Sequence, residues 1–136
     1  MELISFKKIE IENDIILFQI WDTAGEERYK SITNVYFKDA SGVFIVYDIT
    51  NRKSYENIDN WFNVLDKNTE IILIGNKQDL SEREVQYKEG QSKAIEYKID
   101  FYEVSAKTGE NINKAFSTLF NKIYKKYKKK KSKMII

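Results

Sequence analysis

The spacing of hydrophobic and polar residues predicts two strands at the start of the chain. Apolar residues are frequent over 3–12 and over 15–21, on either side of Asn13-Asp14. These two turn residues favour a tight reversal, so the pattern predicts a β-hairpin. Three further strands are predicted from short apolar runs, at 42–47, 71–74 and 101–104.

Apolar residues recur at helical spacing between the later strands. One predicted helix begins near Ser54, a possible N-cap. Its apolar face is formed by Ile58, Trp61, Phe62 and Leu65. Two more helices are predicted, over 86–98 and from about Asn111. This alternation predicts an α/β fold with a mostly parallel sheet and flanking helices, whose ligand loops lie at the carboxyl ends of the strands.

Charge is distributed unevenly along the chain. The net charge is +2, from 23 basic and 21 acidic residues, and eight of the lysines lie between residues 122 and 133. Outside this run 15 basic residues stand against 21 acidic ones, so the excess of positive charge lies in one terminal run, and we expect no nucleic-acid-binding surface. We divide the chain into a domain over 1–127 and a lysine-rich C-terminal tail over 128–136.

Cysteine and histidine are both absent from the sequence. Without cysteine the chain has no disulfide, no thiolate metal site and no sulfur-linked lipid anchor, so a reducing compartment is expected. No apolar stretch approaches the roughly 20 residues that span a bilayer, and the N-terminus does not resemble a secretory signal. We therefore expect a soluble protein.

Three loop motifs follow predicted strands, where an open α/β sheet binds its ligand. They are Trp21-Asp22-Thr23-Ala24-Gly25-Glu26-Glu27-Arg28, Asn76-Lys77-Gln78-Asp79 and Ser105-Ala106-Lys107. In this order and spacing they resemble the Ras superfamily of small GTPases, from about Phe6 to Tyr127. The segments 46–50 and 103–116 have Rab-like forms. The alternative is an unrelated α/β domain with three coincidental loops.

Asp79 is the predicted determinant of base specificity. An ionised carboxylate can accept two parallel hydrogen bonds from the ring N–H and exocyclic amine of guanine, whereas adenine offers no such pair of donors. By the resemblance, Lys77 lies along the base, Asn76 ties this loop to the phosphate loop, and Ala106 donates its N–H to the guanine carbonyl. The same resemblance assigns support of the second turn to Ser105 and Lys107.

The first motif is expected to serve the phosphate end of the nucleotide. The resemblance implies that Asp22 holds Mg²⁺ through water and that Gly25 brings its N–H to the γ-phosphate. Glu26 stands where the family usually has a water-orienting glutamine. Its carboxylate can position water but adds negative charge beside the triphosphate, so we expect slow hydrolysis.

The resemblance also implies parts that this sequence does not contain. The family has a P-loop NTPase-like sheet with a first strand, a phosphate loop and a first helix, but none of the five glycines here fits G-x-x-x-x-G-K-S/T. We expect an incomplete small G domain over 1–127. Losing about four charge-assisted hydrogen bonds weakens binding of GTP or GDP by about 6 kcal/mol, or ten-thousandfold.

Two surfaces are predicted to meet partners. Phe6, Trp21 and Tyr36 match the aromatic triad through which Rab proteins bind effectors, although Trp21 and Tyr36 could equally be partly core. The lysine run either contacts anionic lipid transiently, at about 1 kcal/mol per residue, or is simply solvated.

The function implied by the resemblance is a Rab-like GTPase switch in vesicle traffic, with effector and regulatory proteins as partners. It implies a cytoplasmic protein lying peripherally at endomembranes, although no cysteine is present for prenylation. The alternative is a non-catalytic effector-binding module or a nonfunctional fragment.

Overall fold

The computed structural model describes the backbone of residues 3–22 and 39–134, and the side chains of 5–22 and 39–129. Its elements are β1 (Leu3–Ile11), β2 (Asp14–Asp22), β3 (Gly42–Asp48), α1 (Arg52–Glu56), α2 (Ile58–Asn63), β4 (Glu70–Asn76), α3 (Tyr87–Tyr97), β5 (Asp100–Glu103) and α4 (Ile112–Met134). The chain divides into two compact units, Met1–Asp39 and Ala40–Ile136.

The first unit contains the predicted hairpin, with its turn one residue earlier than expected. β1 and β2 pair antiparallel, and Ile11 lies opposite Asp14. Asp14 is therefore a strand residue, and the turn is Glu12-Asn13. Glu12 takes a φ of 56°, a value uncommon for a residue other than glycine. Strand pairing out to Ile11 decides the position of the turn, which turn-residue preferences alone placed at Asn13-Asp14.

The second unit is built on a parallel sheet in the order β3-β4-β5. Leu73, in the central strand β4, lies opposite Ile45 of β3 and Phe101 of β5. Residues 71–75 are all buried, as expected for a strand covered on both faces. The predicted α/β class and parallel sheet are confirmed.

Two apolar clusters cover the opposite faces of this sheet. Leu73 packs in one cluster with Ile58 of α2 and Ala94 of α3. Its neighbour Ile72 points to the other face and belongs to a cluster with Leu119 of α4. Because successive strand side chains alternate between faces, β4 supplies both clusters. The result is a three-layer unit with helices on both sides of the sheet.

The predicted helix near Ser54 is two short helices, and Ser54 is not its N-cap. The cap of α1 is Asn51, whose side chain accepts a hydrogen bond from the Ser54 N–H at 3.3 Å. The Ser54 hydroxyl instead donates to the Asn51 carbonyl at 2.7 Å. Asn57 lies between the two helices and ends the first. Capping depends on which of two suitable residues adopts extended backbone, and periodicity does not specify that choice.

The last helix continues through the lysine run. α4 extends to Met134, so residues 128–134 of the predicted tail have helical backbone. The boundary between a domain over 1–127 and a tail over 128–136 stays a prediction. None of the helices within the described part of the chain combines the length and the apolar character needed to cross a bilayer.

Candidate functional site

Two of the three predicted ligand loops, 76–79 and 105–107, lie side by side. They follow β4 and β5, which pair in parallel and so end at the same edge of the sheet. Two backbone hydrogen bonds join the segments: Gln78 N–H donates to the Val104 carbonyl at 3.0 Å, and Val104 N–H to the Gly75 carbonyl at 2.8 Å. We refer to these two segments as the base loops.

Ser105 connects the two base loops through its side chain. It is fully buried, and its hydroxyl donates to Oδ1 of Asp79 at 2.7 Å. The same hydroxyl oxygen accepts the Thr108 N–H at 3.1 Å. Asp79 itself is exposed to solvent. The arrangement orients an exposed carboxylate by a buried donor, which suits recognition of a pair of donors such as the guanine edge.

A second side-chain bond joins the loops at Asn76. Its Oδ1 accepts the backbone N–H of Ala106 at 3.1 Å. The sequence predicted that this N–H faces a guanine carbonyl and that Asn76 reaches a phosphate loop. The Asn76 side chain and the Ala106 N–H both lie at the expected edge of the sheet, and in this structure they bond to each other. Their roles toward a nucleotide stay predictions.

Lys77 combines an unusual backbone conformation with an ion-pair partner that the sequence patterns did not predict. Its φ is 71°, in the region that disfavours residues other than glycine. Its Nζ lies 2.7 Å from Oδ2 of Asp48, at the end of β3. The other oxygen of Asp48 accepts from the N–H and hydroxyl of Thr50, at 2.8 and 2.7 Å. Strain of this kind often occurs at functional sites.

These contacts control the ionisation of Asp48. Partial burial alone would raise its pKa, but the hydrogen bonds from Lys77 and Thr50 outweigh burial and lower the pKa below the ordinary value. A signal for Asp48 was available, since it lies in the Rab-like segment 46–50 and ends a strand of the same parallel sheet. The cation of Lys77 is thus paired at the edge that carries the base loops.

The end of the second base loop is shaped by Gly109. Its φ is 86°, and its N–H donates to the Ser105 carbonyl at 2.8 Å. Ser105 N–H donates in turn to the Glu110 carbonyl at 3.1 Å. Lys107 is exposed on this turn. Ser105 contributes bonds to the turn through both backbone and side chain, while the predicted role of Lys107 is untested.

The hairpin carries the remaining predicted residues that the structure describes. Phe6 is 62% exposed and Trp21 is 40% exposed. Phe6 lies opposite Gln19, two residues from Trp21, so the two aromatic residues occupy one face of the hairpin as diagonal neighbours. An exposure of 40% for Trp21 is compatible with a partner surface and with a partly buried role.

The predicted magnesium ligand is an acid at the end of the hairpin. Asp22 is the last residue of β2 and is exposed. Across residues 5–22 and 39–129, no group of three or more acidic, histidine or cysteine side chains is placed to hold a metal ion. Mg²⁺ is commonly held by one or two carboxylates together with phosphates, so a lone Asp22 fits that partial role. Gly25, Glu26 and Tyr36 lie outside the described residues.

Comparison with known families decides the interpretation of these loops. The Ras family model matches residues 3–125. The chain belongs to the Ras family. That span contains the hairpin, the parallel sheet and both base loops. Membership implies guanine-nucleotide and Mg²⁺ binding for the family in general.

The relatives identify this member of the Ras family as Rab-like. Ras-related protein Rab-13 of Rattus norvegicus is 45% identical over 118 residues, covering 83% of this chain and 58% of the relative. Ras-related protein Rab-8B of Homo sapiens is 42% identical over 129 residues, covering 91% and 62%. The GTP-binding protein ypt2 of Schizosaccharomyces pombe is 42% identical over 124 residues, covering 88% and 62%. The chain thus spans about three fifths of the length of these relatives.

Proposed function

We propose that this chain carries the guanine-recognising part of a Rab-like switch that binds and hydrolyses GTP in vesicle traffic. The observation that supports this most strongly is the hydrogen bond from the buried Ser105 hydroxyl to the exposed Asp79 carboxylate. Membership of the Ras family and the similarity to Rab relatives support the choice of nucleotide and process.

Base recognition is assigned to Asp79. With one oxygen oriented by Ser105, the carboxylate accepts the ring N–H and the exocyclic amine of guanine as two parallel hydrogen bonds. A group already held in its binding orientation loses less conformational freedom when the ligand binds. Lys77 covers the base with its aliphatic stem, and the Ala106 N–H exchanges its bond to Asn76 Oδ1 for one to the guanine carbonyl.

Hydrolysis is assigned to the whole switch, with Asp22, Gly25 and Glu26 at the phosphate end. Glu26 orients the attacking water, and Asp22 holds Mg²⁺ through water. The carboxylate of Glu26 adds negative charge where the site must neutralise it, so hydrolysis is slow. In a form supplied with a phosphate loop, Glu26→Gln should accelerate single-turnover phosphate release, and an unchanged or slower rate would contradict this assignment.

The test of base recognition is an NMR titration of the chain with guanosine diphosphate and adenosine diphosphate. We expect weak binding, no tighter than the high micromolar range, with shifts of the Ala106 and Thr108 amides that guanosine diphosphate produces and adenosine diphosphate does not. Equal responses to both nucleotides, or none at the base loops, would refute the proposal.

Variants at Asp79 sharpen the same titration. Asp79→Asn removes one acceptor from the guanine edge and should abolish the preference for guanosine diphosphate. Because asparagine offers one acceptor and one donor, the variant should instead respond to xanthosine diphosphate, whose exocyclic amine is replaced by a carbonyl. Asp66→Asn changes an exposed aspartate in the loop before β4 and serves as the matched control.

Effector and regulatory proteins are assigned to the face of the hairpin that carries Phe6 and Trp21. Exposed aromatic residues supply rigid apolar contact area and are enriched at protein interfaces. In a binding assay with a Rab effector, Phe6→Ala should weaken association, while Lys7→Ala on the opposite face of the hairpin should change it less. Equal effects would remove the support for this surface.

The lysine-rich part of α4 is assigned to transient contact with anionic membrane, which would keep a cytoplasmic protein peripherally at endomembranes. The backbone of this run is helical to Met134, and Lys125, Lys128 and Lys129 are exposed. Flotation with vesicles containing phosphatidylserine should recover the chain at low salt, and recovery should fall with rising salt. Equal recovery with neutral vesicles would contradict the assignment, and no recovery at low salt would favour a solvated run.

A further inference from the structure

An ion pair joins the two segments that carry the base loops, in addition to the Ser105–Asp79 hydrogen bond. Arg83 follows the first base loop, and Glu103 ends β5 two residues before Ser105. Nη1 of Arg83 lies 2.6 Å from Oε2 of Glu103, and Nη2 lies 2.8 Å from Oε1. The two planar groups therefore meet through two parallel hydrogen bonds, the most directional form of ion pair.

The burial of this pair argues against a purely stabilising role. The side chain of Glu103 is 7% exposed and that of Arg83 is 25% exposed. The free energy lost when two charges are removed from water is nearly as large as the free energy gained from their attraction. Well-packed apolar residues at the same positions can stabilise a fold equally well. What a buried bidentate pair supplies in addition is a defined distance and angle between two backbone segments.

Both partners are themselves anchored to backbone. Nη1 of Arg83 also donates to the Val85 carbonyl at 2.9 Å, which holds the guanidinium against its own segment. The Glu103 carbonyl accepts from Nδ2 of Asn111 at 2.8 Å, which ties the end of β5 to the start of α4. The pair therefore connects two segments whose positions are already restricted.

We propose that Arg83 and Glu103 are positioning residues for guanine recognition, and that their pair sets the separation at which Ser105 reaches Asp79. Arg83 lies four positions after Asp79 and Ser105 lies two positions after Glu103, so the two side-chain bridges close a small ring around the base loops. This inference rests on the proposed function of Asp79. Opening the Arg83–Glu103 bridge removes one side of this ring and leaves the Ser105–Asp79 bond less restrained.

The test measures the geometry of the loops first, without nucleotide. Hydrogen exchange is followed at two loop amides: that of Gln78, which bonds to the Val104 carbonyl, and that of Thr108, which bonds to the Ser105 hydroxyl. Exchange of the Leu73 amide, in the central strand, measures global opening. Glu103→Gln should accelerate exchange of the two loop amides about tenfold or more, beyond any change at Leu73. Arg83→Lys, which keeps the charge but loses the fork, should act in the same direction and is the variant to use if Glu103→Gln does not fold.

A matched control is available in the same chain. Arg52 and Glu89 also form a bidentate pair, at 2.7 and 2.9 Å, and neither residue belongs to a base loop. Glu89→Gln should leave exchange at Gln78 and Thr108 unchanged relative to Leu73. If it accelerates these amides as much as Glu103→Gln does, or if Glu103→Gln and Arg83→Lys change all three amides equally, the positioning role is wrong.

A second measurement separates this inference from the proposed function. The shift that guanosine diphosphate induces at Ala106, compared at equal folded fraction, should fall in Arg83→Lys and Glu103→Gln and persist in Glu89→Gln. If the wild-type chain shows no guanine-specific shift, the proposed function fails, whatever the exchange data show. If the wild type responds to guanine and the two variants respond equally well, the proposed function stands and the positioning role is overturned.

Discussion

The hairpin and the three-stranded unit use similar apolar residues with different results. On β2, Ile15 is 76% exposed and Leu17 is 57% exposed, whereas Ile72 and Leu73 on β4 are completely buried. β4 is covered by helices on both faces, while a two-stranded hairpin is at most marginally stable by itself. The comparison distinguishes apolar residues that are exposed on the surface of a strand from apolar residues whose burial fixes the position of a binding site.

The polar residues of the two units differ in the same way. In the three-stranded unit, Asp79, Asn76 and Lys77 each bond to a side chain or backbone group from another segment. Asp22, at the end of the hairpin, is exposed. The proposed roles follow this division: we assign base recognition to the base loops, whose side chains bond to other segments, and partner contact to the exposed aromatic residues of the hairpin.

The largest expected effect comes from one substitution made in both units. Leu73→Ala removes a fully buried side chain from the central strand and should lower the free energy of unfolding by about 2–5 kcal/mol. Leu17→Ala removes an exposed side chain and should change it by less than about 0.5 kcal/mol. Guanidinium unfolding followed by circular dichroism measures both, and equal losses would break the comparison.

Two glycines of the second unit give the next effect. A Cβ on Gly90 would collide with the hydroxyl of Tyr47 and the ring of Phe101, so Gly90→Ala should destabilise by about 1–3 kcal/mol through overpacking. A Cβ on Gly109 meets nothing within 4 Å, but its φ of 86° is strained for alanine. Gly109→Ala should therefore cost about 1 kcal/mol, from the backbone alone. Thermal unfolding compares the stabilities of the two variants. If Gly90→Ala is as stable as the wild type, the core around Tyr47 and Phe101 can rearrange to accept the added methyl group.

Ser105→Ala probes the bridge between the base loops. It leaves the Thr108 N–H and one oxygen of Asp79 without their partner, at a cost of about 1–3 kcal/mol, near the lower end because Asp79 can be hydrated. Ser5→Ala, at an exposed position of the hairpin, should change stability by less than about 0.5 kcal/mol. Urea unfolding is the measurement. If the two serines prove equivalent, the base loops are not held more firmly than the hairpin surface.

The smallest expected effect is a pH dependence at Asp48. The pKa of Asp48 in the folded chain is lowered from the ordinary value of 3.8. Its ionised carboxylate therefore contributes fully to the free energy of unfolding well above pH 3.8, and this contribution is lost as the pH falls through the folded pKa. The free energy of unfolding of Asp48→Asn should therefore be lower than that of the wild type near neutral pH, by less than about 1 kcal/mol. The two values should converge in acid.

Other acids do not obscure this difference. Hydrogen bonds from Tyr97 and Arg52 lower the pKa values of Asp59 and Glu89, so both proteins lose stability in acid for those reasons as well. Only the difference between the two unfolding curves reports Asp48. A difference that stays constant from neutrality to acid would mean that the Lys77–Asp48 contact does not depend on ionisation.

Local sequence patterns determined most of the secondary structure. Alternation and short apolar runs located all five described strands, and helical spacing located the segments around Ile58, Ala94 and Ala115. The order of three loop motifs indicated the family and pointed to Asp79. These features are encoded by residues close to one another in the chain, so periodicity and motif spacing suffice to predict them.

The tertiary structure alone decided how the site is held. Lys77 bonds to Asp48, Ser105 to Asp79, and Arg83 to Glu103, and the two partners of each pair lie 20 or more positions apart in the sequence. Parallel pairing of β3, β4 and β5 brings their carboxyl ends to one edge, and only there do these groups reach hydrogen-bonding distance. The sequence by itself determined which residue types stand at each strand end. Which of them form hydrogen bonds depends on strand register and on the loop backbone. These must place donor and acceptor atoms to within a few tenths of an ångström, and local sequence patterns do not specify positions that finely.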